Sequence, residues 1–358
     1  MYTIAVARLL FVTGTPADVS GGSGTFVGIS VLRRALEARG HEVAFLAPAP
    51  GRGASLAGRL LFNLLARWRA PALRADVVVG FDLDGVFLRS DGAPSIASLK
   101  GVLADEARFE HGVPRVRLTT ESLFERARAR KADLVLTSSL YSAAVIEREY
   151  GVAAPRIRVV PEGIELDRWR SALDSAERLP KDPPGILCVA HLYPRKSVAV
   201  LLEAVSLLKT RAVLRVIGTG PELARLRRRA DVLRLGDRVE FAGHVPFARL
   251  AAEYRRSAVF CLPSRQEGFG IVFLEAMAAG LPIVAAKAGA VPEVVGEECG
   301  VLVPPGDPLS LALALEELLP DSARRSSLGA AGRLRVERFE ADAVASEFLE
   351  AIGVPEHA

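Results

Sequence analysis

Short apolar runs alternate with longer amphipathic stretches along the whole chain, the mark of a parallel sheet flanked by helices. "IAVARLLFV" predicts a first strand, the loop "TGTPADVSGGSG" follows it, and a helix is expected from about Thr25 to Arg39. Ile29, Leu32 and Leu36 recur on one face of that helix, and Gly40 ends it. "HEVAFLAP", "DVVVGF", "SIASLKGV", "ADLVLTSS" and "IRVVPEG" read as the remaining strands of a first half. A polar, Pro-bearing stretch, "LDSAERLPKDPPG", then interrupts the pattern like a linker.

After it the plan restarts. "ILCVAHL" is a strand, "YPRKS" a loop and "VAVLLEAVSLLK" a helix; "VLRVIGTG" is a strand leading into the helix "PELARLRRRADVL". "VEFAGHV", "AVFCLPS", "PIVAAK" and "GVLVPP" supply four more strands. Asp307-Pro308 marks a helix start, with an aspartate to cap it and proline in its first turn. The expected fold class is α/β, with two Rossmann-like domains facing across a cleft. The first spans residues 1–170, a linker 171–185, the second domain 186–338, and a closing helix 339–358. In open sheets of this kind ligands bind beyond the carboxyl ends of the strands.

Composition narrows the class. The chain has 358 residues, enough for two ordinary domains, with half of them hydrophobic and a quarter charged, which is a globular balance. A net charge of +4 admits an anionic ligand or membrane surface, and no basic run interleaved with aromatics or zinc-finger spacing asks for nucleic acid. Cys188, Cys261 and Cys299 are far apart and set in apolar runs, so they read as buried free thiols of a reducing compartment. The N-terminus is interrupted by Arg8 and reads as a strand rather than a signal peptide, and no apolar run reaches the ~18 residues of a spanning helix. A cytoplasmic location is expected.

Several loops on the ligand edge suit an anion. "GTGP", with Gly218 and Gly220, joins a strand to a helix, and "GGSG", with Gly22, makes the same offer in the first domain. Taken alone, each reads first as an ordinary tight βα turn. "YPRKS" brings Arg195 and Lys196 to a helix start, as a diphosphate cradle or as a solvated basic turn. "RQEGFGIVFLEAM" places Glu267 in the loop after a strand. Gly268 and Gly270 there allow close backbone approach, and a helix begins near Ile271. Glu275 lies one turn inside, suited to a vicinal diol such as a ribose, or to a local cap or ion pair.

With these elements in order, the sequence resembles the GT-B glycosyltransferases, specifically the large retaining family 4. The likeness rests on "GGSGTFVGISVLRRALEARGHEV", "ADLVLTSS", "VVPEGIELDRW", "YPRKS", "VIGTGPELARL", "VEFAGHV", the two glutamates eight apart, "GAVPEVV" and "GVLVPPGDP". The resemblance implies a nucleotide-sugar donor held mainly by the second domain and an acceptor bound mainly by the first. It also implies a C-terminal helix crossing back to the first domain, and no required metal or other cofactor. Carried over by position, Lys196 would contact the diphosphate. Glu267 would hold the transferred sugar beside the Gly268-Phe269-Gly270 amides, Glu275 the ribose, and Gly243-His244-Val245 would lie near the base. Transfer would proceed by front-face substitution with retention, the leaving phosphate helping to deprotonate the acceptor.

Two positions depart from the family pattern. His191 stands where an arginine is usual, so either Arg195 compensates or phosphate binding is weaker. No histidine marks the strand tip near the sugar; "SIASLKGVLADEARFEH" offers Lys100, Asp105, Glu106 and His111, and Asp105 or Glu106 is expected to line that part of the cleft. "FDLDG" carries Asp82 and Asp84 in a metal-like spacing but sits in the first domain, and reads as a loop lining the cleft.

Between Val43 and Ala75 there is no acid but five arginines, and "RLLFNLLARWRAPALR" mixes them with Leu, Phe and Trp. Such a helix could rest on the inner face of an anionic membrane, fitting a lipid-linked acceptor, or be a half-buried helix with snorkelling arginines. The rival functions are a non-catalytic or degenerate nucleotide-sugar-binding protein and a nucleotide-sugar epimerase. A Rossmann oxidoreductase would need a third fingerprint glycine after Gly220, where "PEL" stands.

Overall fold

The computed structural model describes residues 6–14, 24–48, 55–70, 74–88, 92–177, 179 and 183–354. The chain divides into two compact units, Met1–Gly163 with Ala341–Ala358, and Ile164–Glu340. Each is built on a six-stranded parallel sheet, and every expected strand is present.

In the first unit the strands are β1 (Arg8–Val12), β2 (Glu42–Leu46), β3 (Val77–Phe81), β4 (Ser95–Leu99), β5 (Leu134–Thr137) and β6 (Ile157–Val159), ordered β2-β1-β3-β4-β5-β6. The inner strands are near-continuous apolar runs because helices cover both faces of the sheet. Its helices are α1 (Gly24–Ala38), α2 (Leu56–Arg69), α3 (Leu103–Glu106), α4 (Gly112–Lys131) and α5 (Leu140–Val145). The inward face of α1 carries Ile29, Leu32 and Leu36, and Gly40 at φ +86° ends it. The apolar pattern does not announce α4, whose buried positions include Glu121, Glu125 and Arg128.

The second unit has β7 (Gly185–Val189), β8 (Val213–Ile217), β9 (Val239–Gly243), β10 (Val259–Leu262), β11 (Ile283–Ala286) and β12 (Gly300–Val303), ordered β12-β11-β10-β7-β8-β9. Its helices are α6 (Leu166–Ser175), α7 (Val198–Leu207), α8 (Leu223–Val232), α9 (Phe247–Arg256), α10 (Ile271–Ala278), α11 (Val291–Val295), α12 (Pro308–Leu318) and α13 (Ser322–Val336). Asp307 caps α12, accepting from the Leu309 and Ser310 amides.

The unit borders differ from those expected. Residues 164–170, assigned to the first domain, belong to the second, and α6 runs into the expected linker. Trp169 explains this: it is buried, with its ring 4.9 Å from Phe247 and 5.5 Å from Tyr254. At the other end α14 (Ala341–Ala351) joins the first unit. There Phe348 meets Phe11 edge-on at 6.2 Å, and Asp342 pairs at 2.6 Å with Arg39, just past the end of α1. Cys188, Cys261 and Cys299 are buried free thiols. No helix among the described residues is long and apolar enough to cross a membrane.

Candidate active site

The second sheet starts at its centre with β7, extends to β8 and β9, then returns to β10 on the other side of β7. The crevice at such a switch point, beyond the carboxyl ends of the strands, is where open α/β sheets take ligands. Here it is walled by the loops after β7 and β10, tied together by the Arg265 amide donating to the Arg195 carbonyl at 2.8 Å.

Lys196 and Glu267 meet between these loops. The ammonium lies 2.7 and 2.8 Å from the two carboxylate oxygens, and the Ser264 hydroxyl donates to Oε1 at 2.7 Å. Both side chains are largely buried, 14% exposed for lysine and 6% for glutamate. Their backbones are pinned as well. Lys196 ends a 3-10 turn, Pro194–Lys196, that passes into α7 through Ser197 at φ +53°. The Glu267 carbonyl accepts the Ala290 amide at 3.0 Å, and a Cβ on Gly289 (φ +57°) would stand 2.5 Å from that carbonyl oxygen. Only glycine lets the 288–290 segment lie so close.

Gly268 follows in the same loop, and Phe269 turns inward to meet Phe339 edge-on at 5.6 Å. Gly270, at φ +94°, opens α10 at Ile271 in the loop beyond the carboxyl end of β10; the Phe273 amide donates back to the Gly270 carbonyl, and the helix start before it is the kind of terminus that suits an anion. Glu275 lies one turn further on, where Oε2 accepts the Tyr254 hydroxyl at 2.8 Å. Burial pushes its pKa up to about 7, against the opposing pull of that hydrogen bond.

On the β7 loop, the His191 and Arg195 side chains flank the ring of Tyr193, at 4.5 and 4.9 Å. Burial, then the charges of Arg195 and Lys196, hold the His191 pKa below its ordinary value, so a neutral imidazole stands there near pH 7.

Gly218 and Gly220 serve differently from the sequence expectation. The Gly218 amide donates to the Gly243 carbonyl at 2.8 Å and is therefore spent. A Cβ at Gly218 would come within 1.9 Å of the Ala190 carbonyl oxygen, and one at Gly220 within 2.6 Å of the Leu192 amide nitrogen. These glycines let the β8 loop lie flush on the β7 loop. Gly243, at φ +67°, ends β9, and His244 and Val245 continue that edge, the imidazole exposed. Gly22 lies outside the described residues.

The first unit holds its own polar edge. Asp105 is buried, accepts the Tyr141 hydroxyl at 2.6 Å and sits 3.5 Å from Arg108, so it braces α3 against α5 rather than lining an open site. Glu106 is partly exposed, and its charge faces Asp82 and Glu125. At the tip of β4, Lys100 pairs with Glu162 at 2.8 Å beside a small cavity that Gly28, Ser98 and Thr137 also line.

In "FDLDG", Asp84 is fully buried and its oxygens accept from the Gly14 amide, from Nε and Nη2 along one edge of the Arg59 guanidinium, and from the Asn63 side-chain amide. Arg59 also stands 3.7 Å from Asp82. Asp82 adopts φ +54°, and burial pushes its carboxyl up to about 6. Ser264, Tyr254, Lys100–Glu162 and the Arg59–Asn63–Asp84 clamp escaped sequence reading; for the clamp, the lone Asn63 inside an apolar stretch was the available signal.

Comparison with known proteins identifies the chain. The model of "Glycosyltransferase Family 4" matches residues 22–168 and that of "Glycosyl transferases group 1" matches residues 170–335. The chain belongs to this glycosyltransferase family. It is 29% identical to the GDP-mannose-dependent alpha-(1-6)-phosphatidylinositol monomannoside mannosyltransferase of Mycobacterium tuberculosis, over 92% of this chain and 93% of that one. To the protein of the same name from Mycolicibacterium smegmatis it is 33% identical, over 56% of this chain and 57% of the relative. A sucrose-phosphate synthase from Thermosynechococcus elongatus superimposes with a TM-score of 0.82 at 25% identity, covering 96% of this chain and 98% of that one. The fold of this family 4 glycosyltransferase is thus GT-B, and its two family segments meet at residues 168–170, close to the border between the units.

Proposed function

We propose that this glycosyltransferase moves a hexose, with retention and without a metal ion, from a nucleoside-diphosphate sugar to a hydroxyl of a lipid-linked acceptor. The Lys196–Glu267 couple at the switch point carries the donor half of the reading. Diphosphate departure needs positive charge and oriented donors, which Lys196, Arg195 and the first-turn amides of α10 supply where a metal otherwise would. Glu267 offers carboxylate oxygens to sugar hydroxyls, and Glu275, steadied by Tyr254, offers them to the ribose diol. The neutral His191 contributes a hydrogen bond rather than a charge. In the reaction the bond from the anomeric carbon to the diphosphate breaks, the acceptor oxygen bonds on the same face, and the leaving phosphate takes its proton. GDP-mannose is the first donor to try, as the relatives from Mycobacterium tuberculosis and Mycolicibacterium smegmatis are named for it.

The acceptor half rests on α2. Leu61, Leu64, Leu65 and Trp68 form one stripe along it, from 46% to 74% exposed, beside Arg67 and Arg69. An apolar stripe edged by arginines is what an anionic lipid surface receives. Val113 and Val116, also exposed, stand with Arg115 and Arg117 at the start of α4 in the same unit. This supports a peripheral location at the inner membrane face. The test is transfer of radiolabelled sugar from GDP-, UDP- and ADP-sugars into lipid, with and without chelator, on vesicles containing phosphatidylinositol. Labelled lipid formed in chelator supports the reading; intact donor under every condition counts against it.

A further inference from the structure

Lys196, expected on the donor diphosphate, and Glu267, expected on the transferred sugar, grip each other. Lys196 places its ammonium on both oxygens of Glu267, and Ser264, fully buried, completes the carboxylate's partners. The loops that carry them are pinned by main-chain bonds, Arg265 to Arg195 and Ala290 to Glu267, so neither side chain retreats by moving its backbone. A ligand that engages either group must therefore displace this largely buried ion pair.

We propose that the Lys196–Glu267 pair is a lock that makes the site select nucleoside-diphosphate sugars over the nucleoside diphosphates they release. It rests on the donor reading given above. A diphosphate competes with Glu267 for the Lys196 ammonium. If the ligand is a bare nucleoside diphosphate, the carboxylate is left buried with only the Ser264 hydroxyl, an arrangement strongly disfavoured for a charge out of water. If it is a nucleotide sugar, the sugar hydroxyls take the place of the ammonium and both groups stay satisfied. After transfer the sugar is gone, Glu267 again lacks donors, and Lys196 returns to it as the diphosphate leaves. The pair thus favours substrate over product and promotes product release.

The experiment measures dissociation constants of GDP, UDP and their hexose conjugates for the wild-type chain, Glu267→Gln and Ser264→Ala, by calorimetry on the intact protein. Glu267→Gln removes the competing charge while keeping the shape, so it should bind the nucleoside diphosphate roughly tenfold more tightly than wild type. Its preference for the nucleotide sugar should collapse. Ser264→Ala strips the carboxylate of its remaining donor and should weaken the nucleoside diphosphate more than the nucleotide sugar, a shift in the opposite direction. Melting curves identify a variant that fails to fold, and either variant alone is decisive. Unchanged or weaker nucleoside diphosphate binding by folded Glu267→Gln, or an equal loss of both ligands in Ser264→Ala, overturns the lock while leaving the donor reading intact. If the folded wild type binds none of these nucleotides or nucleotide sugars, the donor reading fails and the lock falls with it.

Discussion

Replacing Glu275 by glutamine should stabilise the ligand-free protein at neutral pH while weakening its hold on a donor. Burial in α10 pushes the Glu275 carboxyl from 4.5 up to about 7. In the unfolded chain it ionises near its ordinary value. Between those two values the folded state binds the extra proton, so stability falls as pH rises through the window and levels off above about 7. The full displacement corresponds to about 3 kcal/mol at 1.36 kcal/mol per unit; with the residue partly exposed, about 2 kcal/mol is the expected effect. Glutamine keeps an acceptor for the Tyr254 hydroxyl and removes only the charge. Urea unfolding followed by fluorescence is a suitable assay, because Trp169 lies 5.5 Å from Tyr254 and reports on this unit. Glu275→Gln should exceed wild type by about 2 kcal/mol near pH 8, and the gain should vanish near pH 4.5. A variant less stable than wild type at pH 8, or a gain independent of pH, would refute the reasoning. A carboxylate kept at such a disadvantage is the pattern of a residue retained for binding rather than for folding.

Further outcomes follow from the same geometry. Asp84→Ala leaves Arg59 largely buried without its bidentate partner and should destabilise the protein by about 3 kcal/mol, read as a lowered melting temperature. Gly289→Ala forces a side chain into a left-handed position 2.5 Å from the Glu267 carbonyl; a loss of at least 1 kcal/mol and of nucleotide binding is expected, and calorimetry checks both. Leu65→Glu and Trp68→Glu alter only exposed positions of α2, so melting should be unchanged while sedimentation with anionic vesicles is lost. Anionic vesicles that never pellet the wild type would remove the membrane contact.

The strands were legible because a sheet covered on both faces requires uninterrupted apolar runs, as in "RLLFV" and "VFCL", and the glycines and prolines between them punctuate the loops. The helix α4 was not, because its inward side includes the charged Glu121, Glu125 and Arg128; Glu121 pairs with Arg117 on α4 itself, while Glu125 and Arg128 find partners elsewhere in the unit. The same distinction runs through the site. Glu267 and Lys196 were readable from local chemistry, a glycine turn and a basic turn at strand ends. Their bond to each other spans 71 positions, and no local pattern encodes it. Tyr254 is hidden for the same reason, its hydroxyl reaching Glu275 across 21 positions. Gly218 illustrates the converse error: a glycine after a strand suggests a free amide, yet here the residue is small because the Ala190 carbonyl leaves no room for a side chain. The position of Asp105 after a strand suggests a cleft acid, as does that of Glu106, but the Tyr141 hydroxyl donates to Asp105 inside the fold.

The central claim, that the crevice between the β7 and β10 loops holds a nucleotide sugar, is tested most directly by melting temperature. Wild type, Lys196→Ala and Glu275→Ala would be compared with GDP-, UDP- and ADP-sugars. A ligand at roughly 100 times its dissociation constant adds about 2.7 kcal/mol, which for a unit of this size raises the midpoint by several degrees. One nucleotide sugar should stabilise the wild type, with the shift lost in Lys196→Ala and reduced in Glu275→Ala. A full shift in Lys196→Ala, or none with any donor in a folded wild type, would contradict the account.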